Sequence, residues 1–213
     1  EKSFGPWDFY RVEDRYIAPK IYVPNMIGLS SKSNFQQYLT KYKNASGGLT
    51  DHAILDLSDS IKAEQIKEKL NKYTSQKVAV KYDRINNSKY KVRIYGVRSA
   101  FPLVFSDNFD KNWIVNILPS VRSHDALDDG NLLSKNNIEL PDSNHILVNY
   151  FSNGWIVDVE NICKTKGYCF INNDGSYDLD IVIEFWPQRL FYIGLVLSGI
   201  LLVISIIYLI ARF

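Results

Sequence analysis

Cysteine, histidine and methionine are scarce in this sequence, whose 213 residues include 2 Cys, 3 His and 1 Met. Two cysteines are too few for a disulfide-dense miniprotein. The histidines, His52, His124 and His145, lie far apart, and none belongs to an H-E-x-x-H or paired-ligand spacing. The sequence also lacks a G-x-S-x-G motif and a Gly-rich phosphate loop. We therefore read no zinc site and no catalytic motif in it.

An excess of charge of either sign is also missing. Arg189 and Arg212 flank the last hydrophobic segment, and removing them from the 25 basic residues leaves 23, which equals the number of acidic residues. Because phosphate binding requires a positive surface, this balance argues against a nucleic-acid partner. The densest basic stretch, Lys62 to Lys72, is interleaved with glutamates and is typical of a solvated helix face.

One long run without any charge extends from Leu190 to Ile210. It contains about 21 residues, which at roughly 1.5 Å per residue cover about 30 Å, the thickness of a hydrocarbon core. A backbone inside lipid satisfies its own hydrogen bonds as a helix. A buried core helix is the alternative, but it would be shorter and covered by more chain. The sequence therefore predicts that the chain has a membrane as its partner and crosses it with one helix.

Local periodicity separates the rest of the chain into two kinds of structure. From Ser60 onwards, apolar residues recur at helical spacing and predict one amphipathic helix, and a weaker helix candidate covers Asn34 to Lys43. After that the period changes to two: in Lys89 to Ile94, apolar and basic residues alternate, as they do in a half-buried antiparallel strand. Similar runs recur between Asn-, Asp- and Gly-containing turns.

We predict a mainly β fold: a jelly-roll-like antiparallel β-sandwich with one or two short helices, followed by a C-terminal transmembrane α-helix. The predicted divisions are an N-terminal α/β part over residues 1–75, a β-sandwich core over residues 76–187, and a transmembrane helix with a short tail over residues 188–213. We expect the chain, which starts at Glu1 in a polar run without an initiator Met, to be a fragment of a longer protein.

The linker between the last predicted strand and the hydrophobic run is very short. Pro187 fixes one backbone angle in it, and Trp186 and Tyr192 suit the interfacial layer of a membrane. We expect the β-sandwich to sit close to the bilayer.

Cys163 and Cys169 enclose a five-residue loop that contains Gly167. In an extracytoplasmic domain such a pair predicts a disulfide, because two ligands alone would not hold zinc. Two unpaired thiols are the alternative.

Aromatic residues suggest a binding role. Trp113 and Trp155 each follow turn residues, so each ring is placed by the sequence at a sandwich edge, where it would stack on a sugar face beside Asn and Asp groups. We select Trp113, Trp155, Asn153, Asp107 and Asn149 as carbohydrate-binding candidates. The alternative is that each Trp packs in the core between the sheets.

Oxygen-rich stretches occur at residues 107–110, 125–131 and 172–178, but none has the EF-hand spacing. Turns explain them, and a structural calcium ion is the alternative. We otherwise expect no cofactor.

Four stretches resemble motifs of a known family. Ile85 to Val92 resembles an I-N-P-T-K-Y-x-V strand entry, Ala100 to Asp107 with the following Trp resembles a P-F-x-L-x-F-x-E…W strand and turn, His145 to Trp155 resembles an H-x-x-V-N-G-Y-x-N-G-W hairpin, and Glu184 to Arg189 leads into a terminal helix. Tyr150 stands where the hairpin pattern has Gly. Over roughly residues 75 to 213, the combination resembles the C-terminal extracytoplasmic domain and last transmembrane helix of large bacterial integral-membrane glycosyltransferases, including arabinofuranosyltransferase-like ones.

The resemblance implies a catalytic part among upstream membrane helices of the same protein, and it carries no catalytic residue onto this chain. We expect a non-catalytic module that is anchored in the cell membrane, lies on the extracytoplasmic side, and binds or positions a glycan or lipid-linked sugar for a cell-envelope glycosyltransferase. The main alternative is an assembly module that packs on other membrane segments through the small residues Gly194 and Ser198. A hydrolase is a third, weaker reading.

Overall fold

The structure is a computed structural model that describes residues 2–4, 7–9, 19–30, 52–56, 60–71, 73, 78–119 and 137–212. The strands are β1 (Lys2–Phe4), β2 (Trp7–Phe9), β3 (Ile21–Tyr22), β4 (Met26–Ser30), β5 (His52–Asp56), β6 (Ala79–Asn86), β7 (Lys89–Val97), β8 (Phe101–Asn108), β9 (Trp113–Ile117), β10 (Ile138–Glu139), β11 (His145–Val148), β12 (Ser152–Val157), β13 (Phe170–Ile171) and β14 (Tyr177–Phe185). The α-helices are α1 (Ser60–Leu70), α2 (Val159–Cys163) and α3 (Pro187–Arg212), and a 3₁₀ turn covers Asp142–Asn144.

Two sheets contain most of these strands. Sheet I has the order β10-β9-β14-β7-β6, with β13 also paired to β14, and sheet II has the order β3-β8-β12-β11-β5-β4. The pairing is antiparallel throughout both sheets except between β4 and β5, which run parallel. β1 and β2 form a separate antiparallel pair. The predicted mainly β fold with a C-terminal helix is therefore confirmed.

The main hydrophobic core lies between the two sheets and follows from the alternation of apolar residues along the strands. The strands β7, β8, β9, β12 and β14 direct alternate side chains into this core. Its members include Tyr90, Val92 and Ile94 of β7, Leu103 and Phe105 of β8, Trp155 and Val157 of β12, and Leu179, Ile181 and Ile183 of β14.

A second core covers the other face of sheet II. Ile66 of α1 packs there against residues of the sheet such as Leu55 and Val148. Glu64 and Lys67 on the opposite face of α1 are exposed, which confirms the predicted amphipathic helix. In the chain, β3, β4 and β5 precede α1. They belong to the same sheet as β8 and β12. The weaker helix candidate at residues 34–43 lies outside the described residues.

Helix α3 begins immediately after the last strand. Only Trp186 separates the end of β14 from Pro187, the first residue of the helix. In this first turn the guanidinium of Arg189 donates two hydrogen bonds, of 2.6 and 3.0 Å, to the carboxylate of Glu184 in β14. No residue of α3 is buried, and the helix is long and apolar enough to span a membrane.

Candidate functional site

An open groove of about 700 Å³ lies at the end of the sandwich where α3 begins, and we call it the helix-exit groove. Three segments line it. They are the β6–β7 turn with Asn86, Asn87 and Ser88, the β8–β9 turn with Asp107, Asn108, Phe109 and Asp110 together with Trp113, and the strand-to-helix junction with Phe185, Gln188 and Tyr192.

Backbone hydrogen bonds hold these three segments together. The N–H of Phe185 donates to the carbonyl of Ser88 at 2.8 Å, and the N–H of Trp186 donates to the carbonyl of Asn112 at 3.0 Å. β14 lies between β7 and β9 in sheet I, so its C-terminal end meets the turns of both neighbours. The position of the groove therefore follows from the strand order.

The walls of the groove combine polar and aromatic side chains, and none of the described residues that line it is basic. One oxygen of Asp107 forms an ion pair of 2.8 Å with Lys20, and the other accepts from the N–H of Asn108. Asp110 accepts from the N–H and the side-chain amide of Asn112. Amide, hydroxyl and carboxylate groups beside aromatic rings suit a neutral, hydroxyl-rich ligand, whereas a phosphate would meet the carboxylates of Asp107 and Asp110 and no basic side chain among the described lining residues.

Trp113 packs mainly in the core and is only 8% exposed. Its ring lies edge-on to Phe105, with centroids 4.8 Å apart, and is tilted against Phe185 at 5.2 Å. It borders the groove but offers no open face. The position of Trp113 therefore fits the alternative in which the ring packs in the core between the sheets.

Trp155 is 2% exposed, so its ring is closed to a sugar. The ring stacks on His145 with centroids 4.6 Å apart and planes at 9°, and Phe109 packs on the imidazole at 5.0 Å. The expected edge position is not found, because Asn153 and Gly154, which resemble a turn in sequence, lie inside β12. Trp155 occupies an inward position of that strand.

Asn153 is fully buried beneath the β8–β9 turn and does not open into the groove. Its side-chain amide donates to the carbonyls of Asp107 and Asn108, both at 3.0 Å. Its oxygen accepts from the N–H of Asp110 at 3.1 Å and contacts Nε2 of His145 at the same distance. Asn153 therefore fixes the shape of the groove wall from below.

Asn149 lies at the β11–β12 turn and is not among the groove residues. Its side-chain oxygen accepts from the N–H of Ile54 at 2.9 Å, and its amide donates to the hydroxyl of Tyr22 at 3.2 Å. Burial raises the pKa of Tyr22, and the hydrogen bond from Asn149 opposes that rise. Of the five carbohydrate-binding candidates, Asp107 and Trp113 thus line the groove, Asn153 supports it, and Trp155 and Asn149 lie elsewhere.

Several groove residues were absent from the sequence-based candidates, among them Asn86, Asn87, Ser88, Gln188 and Tyr192. The turn at Asn86–Asn87 is readable from the sequence. Its position beside Gln188 is not, because it depends on the pairing of β7 with β14.

The remaining site predictions fall on two loops. Cys163 and Cys169 form the predicted disulfide, with Cα atoms 5.4 Å apart. In the loop at residues 172–178, Asp174 accepts from Ser176 and Asp178 accepts from Asn172, so these carboxylates are engaged in turn hydrogen bonds. The part of the chain that the structure describes holds no group of three or more His, Cys, Asp or Glu residues that could bind a metal ion. Residues 125–131 lie outside that part.

Comparison with known proteins adds no relative. No protein-family model matches the chain, and neither the curated proteins nor the solved structures give a match. The chain folds into a β-sandwich that continues into a helix able to span a membrane, with the groove at the point where the two meet. The resemblance to glycosyltransferases rests on the sequence motifs alone.

Proposed function

We propose that this chain is a non-catalytic, membrane-anchored module that positions the sugar of a lipid-linked glycan for a cell-envelope glycosyltransferase part of the same protein. The observation that supports the proposal is the location of a groove lined by polar and aromatic side chains at the beginning of a helix able to span a membrane.

Position favours a membrane-linked sugar over a soluble polysaccharide. Gln188 and Tyr192, which line the groove, belong to the first two turns of α3, and the uncharged run starts at Leu190. If α3 spans a bilayer, these turns lie at the depth of the headgroups. The sugar of a lipid-linked donor is held at the same depth, so the groove would meet it without extracting the lipid.

Chemistry favours a neutral sugar. Gln188 supplies an amide that donates and accepts, as a pair of sugar hydroxyls requires, and Asn87 supplies an amide donor, because its oxygen accepts from the guanidinium of Arg84. Tyr192 is 50% exposed, so its ring has surface available for a sugar face. The extracytoplasmic placement is supported by the Cys163–Cys169 disulfide, since such bonds persist in oxidising compartments.

The test is a binding titration of the full chain in lipid nanodiscs. The probes are a polyprenyl-phosphate-linked sugar, the same phospholipid without sugar, and a soluble cell-envelope oligosaccharide. We expect the sugar-bearing lipid to bind more tightly than both controls. Gln188→Ala or Asn87→Ala should weaken binding about 2- to 10-fold, which corresponds to one hydrogen bond of roughly 0.5–1.5 kcal/mol.

Asn173→Ala is the matched control, because Asn173 is an exposed turn residue in the 172–178 loop, away from the groove. It should leave binding unchanged. Absence of binding to every sugar-bearing probe, or equal affinities of the Gln188→Ala and Asn173→Ala variants, would contradict the proposal.

A ligand-free assembly module is the alternative. It is favoured by the full exposure of α3, whose small residues Gly194 and Ser198 are four positions apart and leave room for a neighbouring helix. Crosslinking from position 194 in native membranes to another helix, combined with no sugar binding, would select this alternative.

A further inference from the structure

We propose that the helix-exit end of the sandwich is a second membrane-contact surface, in which aromatic side chains from two loops and the linker enter the lipid interface beside α3. These residues, Phe109, Phe151 and Trp186, are called the aromatic rim. The proposal rests on the membrane anchoring in the proposed function and adds a contact made by the folded head itself.

The rim residues come from three separate segments that the fold gathers at one end. The N–H of Phe109, in the β8–β9 turn, donates to the carbonyl of Phe151, in the β11–β12 turn, at 2.6 Å. The N–H of Trp186 donates to the carbonyl of Asn112, also in the β8–β9 turn, at 3.0 Å. Phe109 and Tyr192 of α3 line the same groove. The rim therefore surrounds the point where the helix leaves the head.

Position beside α3 distinguishes the rim from other exposed aromatic side chains of the head. Phe109, Phe151 and Trp186 are 42%, 55% and 43% exposed, whereas Phe170, which is 43% exposed, lies at the other end of β14. Large exposed apolar rings at one end of a domain indicate a surface that contacts a membrane or another protein.

A lipid interface is the occupant that fits this position. Trp186 lies four residues before Leu190, where the uncharged run begins, so the rim is only about 6 Å along the helix axis from the hydrocarbon layer. Aromatic rings are favoured at this depth. The exposed Lys111, in the turn next to Phe109, would meet the phosphates of anionic headgroups.

Restraint of the helix direction supports the same conclusion. Arg189 in the first turn of α3 is bound to Glu184 at the end of β14 through two hydrogen bonds. A head that is joined to its helix by one residue and by this ion pair has little freedom to move away from the bilayer. Its exposed end is therefore held against the lipid surface.

The test uses the full chain in vesicles of phosphatidylcholine and phosphatidylglycerol, with the native disulfide intact and one added cysteine that carries an environment-sensitive fluorophore. The label is placed at Phe151→Cys in one variant and at Ile171→Cys in the matched control. Ile171 is also apolar and is 63% exposed, but it pairs with Tyr177 at the other end of β14. That end is about 26 Å from Phe185 at roughly 3.3 Å per residue.

At position 151 we expect the emission of the label to shift to the blue in vesicles. When the vesicles contain lipids brominated close to the headgroup, most of this emission should be lost. At position 171 we expect neither change. Equal quenching at the two positions, or no quenching at either, would overturn the proposal. So would a label at position 151 that stays in water in vesicles but is shielded in native membranes, because a protein would then be the occupant.

A third label at Ser198→Cys, in the middle of α3, separates the two hypotheses when it is measured in vesicles whose lipids are brominated deep in the acyl chains. Quenching at position 198 without quenching at position 151 rejects the rim and leaves the anchor in place. Absence of quenching at position 198 rejects both the rim and the membrane anchoring. Failure of the sugar titration leaves the quenching pattern unchanged, so the glycan and rim proposals are tested independently.

Discussion

Tyr150 adopts a backbone conformation that a bulky side chain rarely takes. Its φ is 65°, it follows Asn149 with φ 51°, and the N–H of Phe151 donates to the carbonyl of Val148. Two consecutive positive φ values are those of a type I′ turn, which usually has Gly at its second position. The hairpin thus keeps its turn although the family pattern has Gly where this chain has Tyr.

Tyr150→Gly should be more stable than Tyr150→Ala by about 1 kcal/mol, because both variants lose the side-chain interaction of Tyr150 and only Gly adopts a left-handed conformation without the cost that a Cβ imposes. Urea unfolding of the full chain in detergent micelles would measure the change. Asn149→Gly is the control: it keeps the positive φ but loses the bonds to Ile54 and Tyr22, so it should destabilise. A Tyr150→Gly variant no more stable than Tyr150→Ala would contradict this account of the turn.

Asp174 has a pKa below its ordinary value of 3.8, mainly because the hydroxyl of Ser176 donates to it, followed by the N–H of Ser176 and the charge of Arg98. A lowered folded pKa means that the stabilisation is present above the unfolded pKa and is lost as the pH falls through the folded value. Ser176→Ala should move the pKa of Asp174 up towards 3.8. Carboxyl NMR titration would show it, and an unchanged pKa would assign the shift to Arg98 instead.

Between β14 and α3, the buried carboxylate of Glu184 is the main side-chain link. It is 5% exposed, accepts two hydrogen bonds from Arg189 and lies 3.9 Å from Nζ of the equally buried Lys89. Removing the carboxylate takes one charged partner from Lys89, which has a further interaction, and from Arg189, whose side chain is 41% exposed to water. The expected cost is therefore that of hydrogen bonds to a charged group, not that of breaking a fully buried ion pair.

Glu184→Gln should therefore lower the free energy of unfolding by about 1.5–3 kcal/mol in micelles. Glu64→Gln is the matched control, since Glu64 forms only a surface ion pair with Lys67 and its loss should cost less than about 1 kcal/mol. Similar losses for the two variants would show that Glu184 does not restrain the junction.

The Cys163–Cys169 disulfide connects the end of α2 to the segment that precedes β13. A loop this short loses little entropy on closure, and the chain-entropy model gives about 2 kcal/mol. The Cys163→Ser/Cys169→Ser double variant should be less stable by about that amount in urea unfolding. Reduction of the natural chain should have the same effect, whereas an unchanged midpoint would mean that the packing of Ile162 alone holds α2.

Across the whole molecule, the sequence predicts features that depend on neighbouring residues and misses those that depend on strand order. The alternation in Lys89 to Ile94 is local, so β7 was predicted, and the uncharged run correctly gave α3. Asn153–Gly154 has the composition of a turn, but the chain turns earlier, at residues 149–151, and Trp155 is consequently buried. The groove forms only when β14 pairs with both β7 and β9.

Anchoring by α3 is the property on which the proposed function and the aromatic rim both depend, and it can be tested by placing one charge at different depths. Ile200 lies near the middle of α3, and Ala211 lies beside Arg212 at its end. An Arg at the centre of a spanning helix costs about 2.5–3.5 kcal/mol, and the cost falls towards the ends because the side chain reaches the headgroups.

Ile200→Arg should therefore reduce the fraction of the full chain that stays in membranes after carbonate extraction, while Ala211→Arg should leave that fraction unchanged. A helix that only rests on the surface of a membrane or on another protein would not distinguish the two positions by depth. Equal extraction of both variants would thus show that α3 does not anchor the chain in the membrane. The groove would then have to obtain its ligand from solution.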